Sequence, residues 1–173
     1  MVIGRPLLGE QEIQKKVKEL AESISEDFSE KEIVAIGILK GAFMFYADLI
    51  RQIRVPVTVD FILASSYLKT ETTGEVKIHA DIREDIKGRD VLLVEDIVDT
   101  GITLNHLRER LLQRAPSTLK ICALLDKKER RMVDVPIDYV GFEIPDEYVV
   151  GYGLDFDGKY RNMPYIAVFK RNE

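Results

Sequence analysis

Glu95, Asp96, Asp99, Thr100 and Thr103 stand together in the segment VLLVEDIVDTGITL, where the apolar run Val91 to Val94 delivers the chain to them and Gly101 follows Thr100. Carboxylates such as Glu95 and Asp96 only accept hydrogen bonds, which suits a sugar diol. The N–H groups at a helix N-terminus lack intrahelical partners and carry partial positive charge. With the hydroxyls of Thr100 and Thr103 beside them, they suit a phosphate. Gly101 would let the backbone come close, and Ile97, Val98 and Ile102 would contribute main-chain groups. One short segment thus offers a phosphate cradle beside a diol clamp. The alternative is that Asp99 or Thr100 merely caps the helix and that Glu95 and Asp96 are solvated. Neither G-x-x-x-x-G-K-[ST] nor G-x-G-x-x-G occurs, so the two common nucleotide loops are excluded.

Such a cradle needs a strand before it and a helix after it. Val91 to Val94 reads as the strand, and Ile102 to Gln113 as the helix. Earlier in the chain, Ile13, Val17, Leu20 and Ile24 repeat at helical spacing within Gln11 to Ser25. Ile33 to Leu39 reads as a strand, Lys40-Gly41 as a turn and Ala42 to Ile50 as a helix. Val57 to Leu63, Thr118 to Leu125, Tyr139 to Phe142, Tyr148 to Val150 and Ile166 to Phe169 read as further strands. The polar tract Ser65 to Glu75 reads as a mobile loop, with Val76 to His79 a short strand leading away from it. Alternating strands and helices with near-continuous apolar strands predict an α/β fold with a mainly parallel central sheet flanked by helices. Ligands then bind beyond the carboxyl ends of the strands, where the acidic segment lies.

A chain of 173 residues, 46% apolar and 32% charged, fits a single globular domain spanning residues 1–173. Its net charge of −5, without a basic stripe, argues against nucleic acid as a partner. An acidic protein that takes a polyanion must offset its charge locally with a metal ion, placed cations and backbone N–H groups. The sole cysteine, Cys122, leaves no intramolecular disulfide to form, and it makes no metal pattern with His79 and His106. Neither a secretory signal nor a membrane-length apolar run is present, so no membrane is expected and a cytoplasmic location is.

Val91 to Leu104 resembles the phosphoribosyl-diphosphate (PRPP) motif of the type I phosphoribosyltransferases, and other segments narrow the likeness to the hypoxanthine-guanine phosphoribosyltransferases. Ile38-Leu39-Lys40-Gly41 is similar to that family's pyrophosphate loop, in which the peptide matching Leu39-Lys40 is cis or able to become so. Ser65-Ser66-Tyr67 resembles the start of the family's mobile catalytic loop. Lys127 matches the lysine placed on the purine 6-oxo group; an ammonium donates and cannot accept, so it would favour a 6-oxo over a 6-amino purine. The segments from Val140 to Asp146 and from Tyr148 to Asp155 resemble the base-binding region. The resemblance implies that Tyr148 stacks on the purine, that Val149 offers backbone groups to its edge, and that Asp155 holds a magnesium ion directly or through water. It also gives Arg161 to the pyrophosphate. A simple turn with Lys40 in solvent, a solvated Lys127 within the charge run 127–131, and a core role for Tyr148 are the competing readings.

The resemblance implies the type I phosphoribosyltransferase fold, with the N- and C-terminal segments forming a small hood over the base. It implies transfer of a phosphoribosyl group from PRPP to N9 of hypoxanthine or guanine, with Asp99 as the general base. Mg2+ would be held among Glu95, Asp96 and Asp155, and the chain would form a homodimer or homotetramer. A xanthine-preferring phosphoribosyltransferase and a PRPP-sensing regulator that binds nucleic acid are the alternatives.

Overall fold

The computed structural model describes residues 2–69 and 73–170. Its main sheet has the strand order β4-β3-β2-β5-β6-β7. The strands are β2 (Ile33–Leu39), β3 (Val57–Lys69), β4 (Thr73–Ala80), β5 (Asp90–Val98), β6 (Thr118–Asp126) and β7 (Tyr139–Glu143). All neighbours pair in parallel except β3 and β4. Two helices, α1 (Glu10–Asp27) and α2 (Phe43–Ile50), cover one face, and α3 (Ile102–Leu112) covers the other.

Burial on both faces explains the continuous apolar strands. Ile33, Ala35, Leu92, Val94, Cys122 and Leu124 face Ile13, Val17, Ile24, Phe45 and Leu49 of α1 and α2. Their sequence neighbours Val34, Ile36, Val91, Leu93, Ile121 and Ala123 face Leu104, Leu107 and Leu111 of α3. Full burial of each Val, Leu, Ile or Phe side chain among them contributes roughly 1.5 to 3 kcal/mol.

From β2 the chain moves outward to β3, and from β5 it moves the other way to β6. The strand order therefore reverses between β2 and β5, and the loops that follow these two strands open a crevice at their carboxyl ends. Those loops hold Lys40-Gly41 and Asp99 to Gly101. The central parallel sheet flanked by helices agrees with the fold expected from the sequence.

Three features differ from the sequence reading. The tract expected to be a loop is largely a ribbon: β3 runs to Lys69 and pairs with β4 from Thr73, and residues 70–72 lie outside the described part. β5 extends to Val98, still pairing Glu95 with Ala123 and Val98 with Asp126, so the acidic pair stands on a strand rather than in a loop. Finally, β1 (Val2–Leu8) was not foreseen. It pairs with β9 (Ile166–Lys170), which also pairs with β8 (Val149–Val150), in a separate sheet of order β1-β9-β8.

The small sheet is tied to the main body near the crevice. Asp48 of α2 accepts hydrogen bonds from Gln14 of α1 at 3.0 Å and from the Tyr152 hydroxyl at 2.6 Å. Tyr152 is buried, and its neighbour Gly153 reaches the loop after β2. No described helix is long and apolar enough to cross a membrane.

Candidate active site

A cavity of about 520 Å³ lies in the crevice, within the range of small-molecule sites. Leu39, Lys40 and Gly41 line it from β2 and its loop, and Ser65 lines it from β3. The whole run from Glu95 to Thr103 borders it, and Lys127, Tyr148, Val149, Asp155 and Arg161 close it from the far side. The side chains of Ser66 and Tyr67 lie outside the described ones.

Glu95 and Asp96 are each only 8% exposed, which rules out the solvated alternative. Glu95 accepts a hydrogen bond from Asp96 N at 3.0 Å, and Asp96 Oδ1 accepts one from Ile97 N at 2.8 Å. Burial, and then the adjacent Asp96 charge, push the Glu95 carboxyl well above its ordinary value. Burial also raises Asp96, against the opposing pull of its hydrogen bonds and of Arg161. Two adjacent buried carboxylates repel one another when both are charged, so they titrate as a pair. A dication would relieve that repulsion, and a diol's O–H groups would donate to the same oxygens.

Gly41 lies directly against this pair. A Cβ built on Gly41 would stand 1.8 Å from Asp96 Oδ2. A Cβ on Gly153, whose φ is +102°, would stand 2.1 Å from the Gly41 carbonyl oxygen. The backbones of the small-sheet region and the Lys40 loop thus stack on the acidic pair at a separation that only glycine permits. The peptide Leu39-Lys40 is cis, a state that the sequence left open.

Beyond β5, Gly101 is the N-cap of α3 with φ +84°, and no side chain caps the helix. The Ile102 N–H has only a long contact, 3.4 Å, to the Thr100 hydroxyl, and Asn105 N makes a bond back to Gly101 O at 2.9 Å. The capping alternative for Asp99 and Thr100 therefore fails, and the first turn faces the cavity with its N–H groups available to an anion. Gly101 permits a close approach, but to the chain itself: its Cβ would meet Val133 O at 2.5 Å.

Lys127 is 7% exposed, so the solvated reading of the charge run fails for this residue. Its ammonium lies 3.6 Å from Asp146 Oδ1. Asp126, the acid beside it in sequence, instead meets Arg131. Tyr148 is 53% exposed and so is not a core aromatic. Its hydroxyl donates to Asp155 O at 2.9 Å, and its ring stands edge-on to Phe156 with centroids 5.8 Å apart. Val149 is buried in β8.

Asp155 already has partners within the protein. Arg161 Nη2 lies 2.8 Å from its Oδ1, and Gly158 N donates to its Oδ2 at 2.7 Å. Arg161 Nη1 also donates to Gly153 O at 2.5 Å. Glu95, Asp96 and Asp155 do not converge: among the described residues no three such side chains form a metal cage. Arg130 and Arg131, to which sequence reasoning gave no role, and Asp146, named only as the end of a base-binding segment, complete the wall or brace it.

A sequence profile for the phosphoribosyl transferase domain matches residues 7–157. The chain belongs to the phosphoribosyltransferase family. It is 52% identical over 164 residues to the hypoxanthine phosphoribosyltransferase of Salmonella typhimurium, covering 93% of this chain and 92% of that protein. With the hypoxanthine-guanine phosphoribosyltransferase of Bacillus subtilis it shares 48% over 169 residues, 97% of this chain and 94% of that protein. The crystal structure of a hypoxanthine-guanine phosphoribosyltransferase from Bacillus anthracis superposes with a TM-score of 0.94 at 54% identity, covering 98% of this chain and 100% of that one.

Proposed function

We propose that this phosphoribosyltransferase carries the 5-phosphoribosyl group of PRPP to N9 of hypoxanthine or guanine, releasing pyrophosphate and the nucleoside monophosphate. The observation that carries this reading is the juxtaposition, around one crevice, of an uncapped helix N-terminus, a buried carboxylate pair and a buried lysine. The first turn of α3 with Thr100 and Thr103 holds the 5′-phosphate. Glu95 and Asp96 accept the ribose hydroxyls. Lys127 donates to the purine 6-oxo group, while Tyr148 covers the ring and the Val149 backbone reads its edge.

In the reaction the N9–C1 bond forms and the bond from C1 to the pyrophosphate oxygen breaks, with positive charge developing on the sugar. Arg161 and the Lys40-Gly41 loop oppose the charge on the leaving group. Asp99 accepts the proton that the purine loses from N7. Its Oδ1 is buried and accepts no directed hydrogen bond from a described residue, while the side chain as a whole is 44% exposed to the cavity.

The donor set fits Mg2+, a hard cation that prefers oxygen and commonly rests on one or two carboxylates with substrate oxygens. Glu95 and Asp96 are the residues that would hold it, with Asp155 contributing directly or through water. When bound, the ion neutralises diphosphate charge. A homodimer or homotetramer in the cytoplasm is the setting proposed for it.

The reading is tested by pyrophosphate release from PRPP and Mg2+ with hypoxanthine, guanine, xanthine, adenine or uracil supplied singly. Release with hypoxanthine or guanine and not adenine is expected. Release with no base would overturn the reading, and release only with xanthine would change the substrate.

A further inference from the structure

The segment after β6 is fastened beneath the phosphate loop by its backbone. Lys127 N donates to Val98 O at 2.9 Å, and Met132 N and Val133 N both donate to Thr100 O, at 2.9 and 3.0 Å. Between these anchors a single 3-10 turn, Lys128–Arg130, brings Arg130 over Asp99, with Nε 2.9 Å from Oδ1. Arg130 Nη1 lies 3.4 Å from Oδ2 of Asp146, whose Oδ1 faces Lys127 at 3.6 Å. The result is a chain of alternating charge: Asp99, Arg130, Asp146, Lys127. Its two ends are the groups that meet N7 and the 6-oxo oxygen, which are neighbours on one edge of a purine.

We propose that Arg130 and Asp146 are positioning residues of the base site, holding the proton acceptor Asp99 and the donor Lys127 at a set separation so that both meet the same purine edge. The proposal rests on the function given above. Lys127 is almost wholly buried, and a buried ammonium needs an acidic partner. Asp126 is committed to Arg131, so that partner is Asp146. An ammonium has three donors, which lets Lys127 keep Asp146 and still reach the 6-oxo oxygen.

At the other end Arg130 lies against Asp99 Oδ1, and the exposed remainder of the carboxylate is left for the N7 proton. Arg131 steadies the same residue from behind, its Nε donating to Asp99 O at 3.3 Å. Asp99, Arg130 and Asp146 are each 44% exposed, and ion pairs that open to water add little stability. Orientation, not stability, is what such a chain supplies.

The test compares Arg130→Met, Arg130→Lys, Asp146→Asn and the Met/Asn double variant with the unaltered protein. Steady-state kinetics with hypoxanthine and adenine are read beside the KM for PRPP and the unfolding midpoint. Arg130→Met should lower kcat about fivefold with the PRPP KM unchanged, and Arg130→Lys should recover part of it. Asp146→Asn should raise the hypoxanthine KM about fivefold and narrow the preference over adenine. The double variant should lose less than the product of the single losses, because the two act in one chain.

Unchanged kcat and hypoxanthine KM in Arg130→Met and Asp146→Asn would overturn the proposal. So would losses that follow the unfolding midpoint or appear equally in the PRPP KM, which mark a merely structural role. If the unaltered protein releases no pyrophosphate with any base, the functional reading fails and the proposal goes with it; an active parent with indifferent variants removes the proposal alone.

Discussion

Replacing Gly41 with alanine should separate activity from stability. The new methyl group would stand 1.8 Å from Asp96 Oδ2, far inside contact distance, so the carboxylate must turn away. Turning breaks the 2.8 Å hydrogen bond that Asp96 Oδ1 accepts from Ile97 N. Loss of one such bond in a buried setting costs about 1 to 2 kcal/mol, which in a domain of this size lowers the unfolding midpoint by about 2 to 8 °C. The catalytic cost should be larger. Asp96 and the Lys40 loop would both leave the positions that hold ribose and pyrophosphate, and a misplacement of about 1 Å costs about a hundredfold in rate.

Calorimetry and pyrophosphate release, measured on the same preparation, check both parts. Gly88→Ala is the control: its φ is +68° and nothing lies within 4 Å of the added Cβ, so it should lose roughly 1 to 2 kcal/mol of stability and no activity. If Gly41→Ala keeps kcat/KM within about threefold of the parent while Gly88→Ala behaves as described, the stacking of the loop on the acidic pair does not position the reactants.

Asp99→Asn should retain PRPP binding, measured by calorimetric titration, and lower kcat by roughly 10²- to 10⁴-fold; full turnover would remove Asp99 as the proton acceptor. Lys127→Ala should weaken hypoxanthine and guanine binding and leave Asp146 without its buried partner, and an unchanged base profile would contradict the 6-oxo contact. The folded Glu95 carboxyl holds its proton to higher pH than the unfolded one. Between the unfolded value, about 4.3, and the raised folded value, the folded state therefore binds more protons, and stability should fall as pH rises. Glu95→Gln should flatten that fall, as read from unfolding midpoints across this window.

The main sheet was legible because β2, β5 and β6 are buried on both faces, which makes their sequences almost continuously apolar. β1 escaped notice because Val2–Leu8 includes Pro6 and pairs only with β9, far away in the sequence. Local pattern cannot announce a partner so distant. The far ends of β3 and β4, from Ser65 onward and up to Glu75, were read as a loop because their polar residues lack the alternation of a half-buried strand. The phosphate and ribose groups were legible because they are contiguous, from Glu95 to Thr103. Arg130 was not, because a charge run looks the same whether it meets water or, across the fold, Asp99.

The order of the parts along the chain has a consequence for how the site is completed during synthesis. The phosphate cradle, from β5 through α3, can fold once β6 and the segment ending at Val133 are available. The floor of the base site cannot: among the described residues β8 pairs with β9 alone, and β9 follows every element of the cradle. A chain still on the ribosome would therefore have the sugar-phosphate cradle and the lysine that meets the base before it had the floor that seats that base.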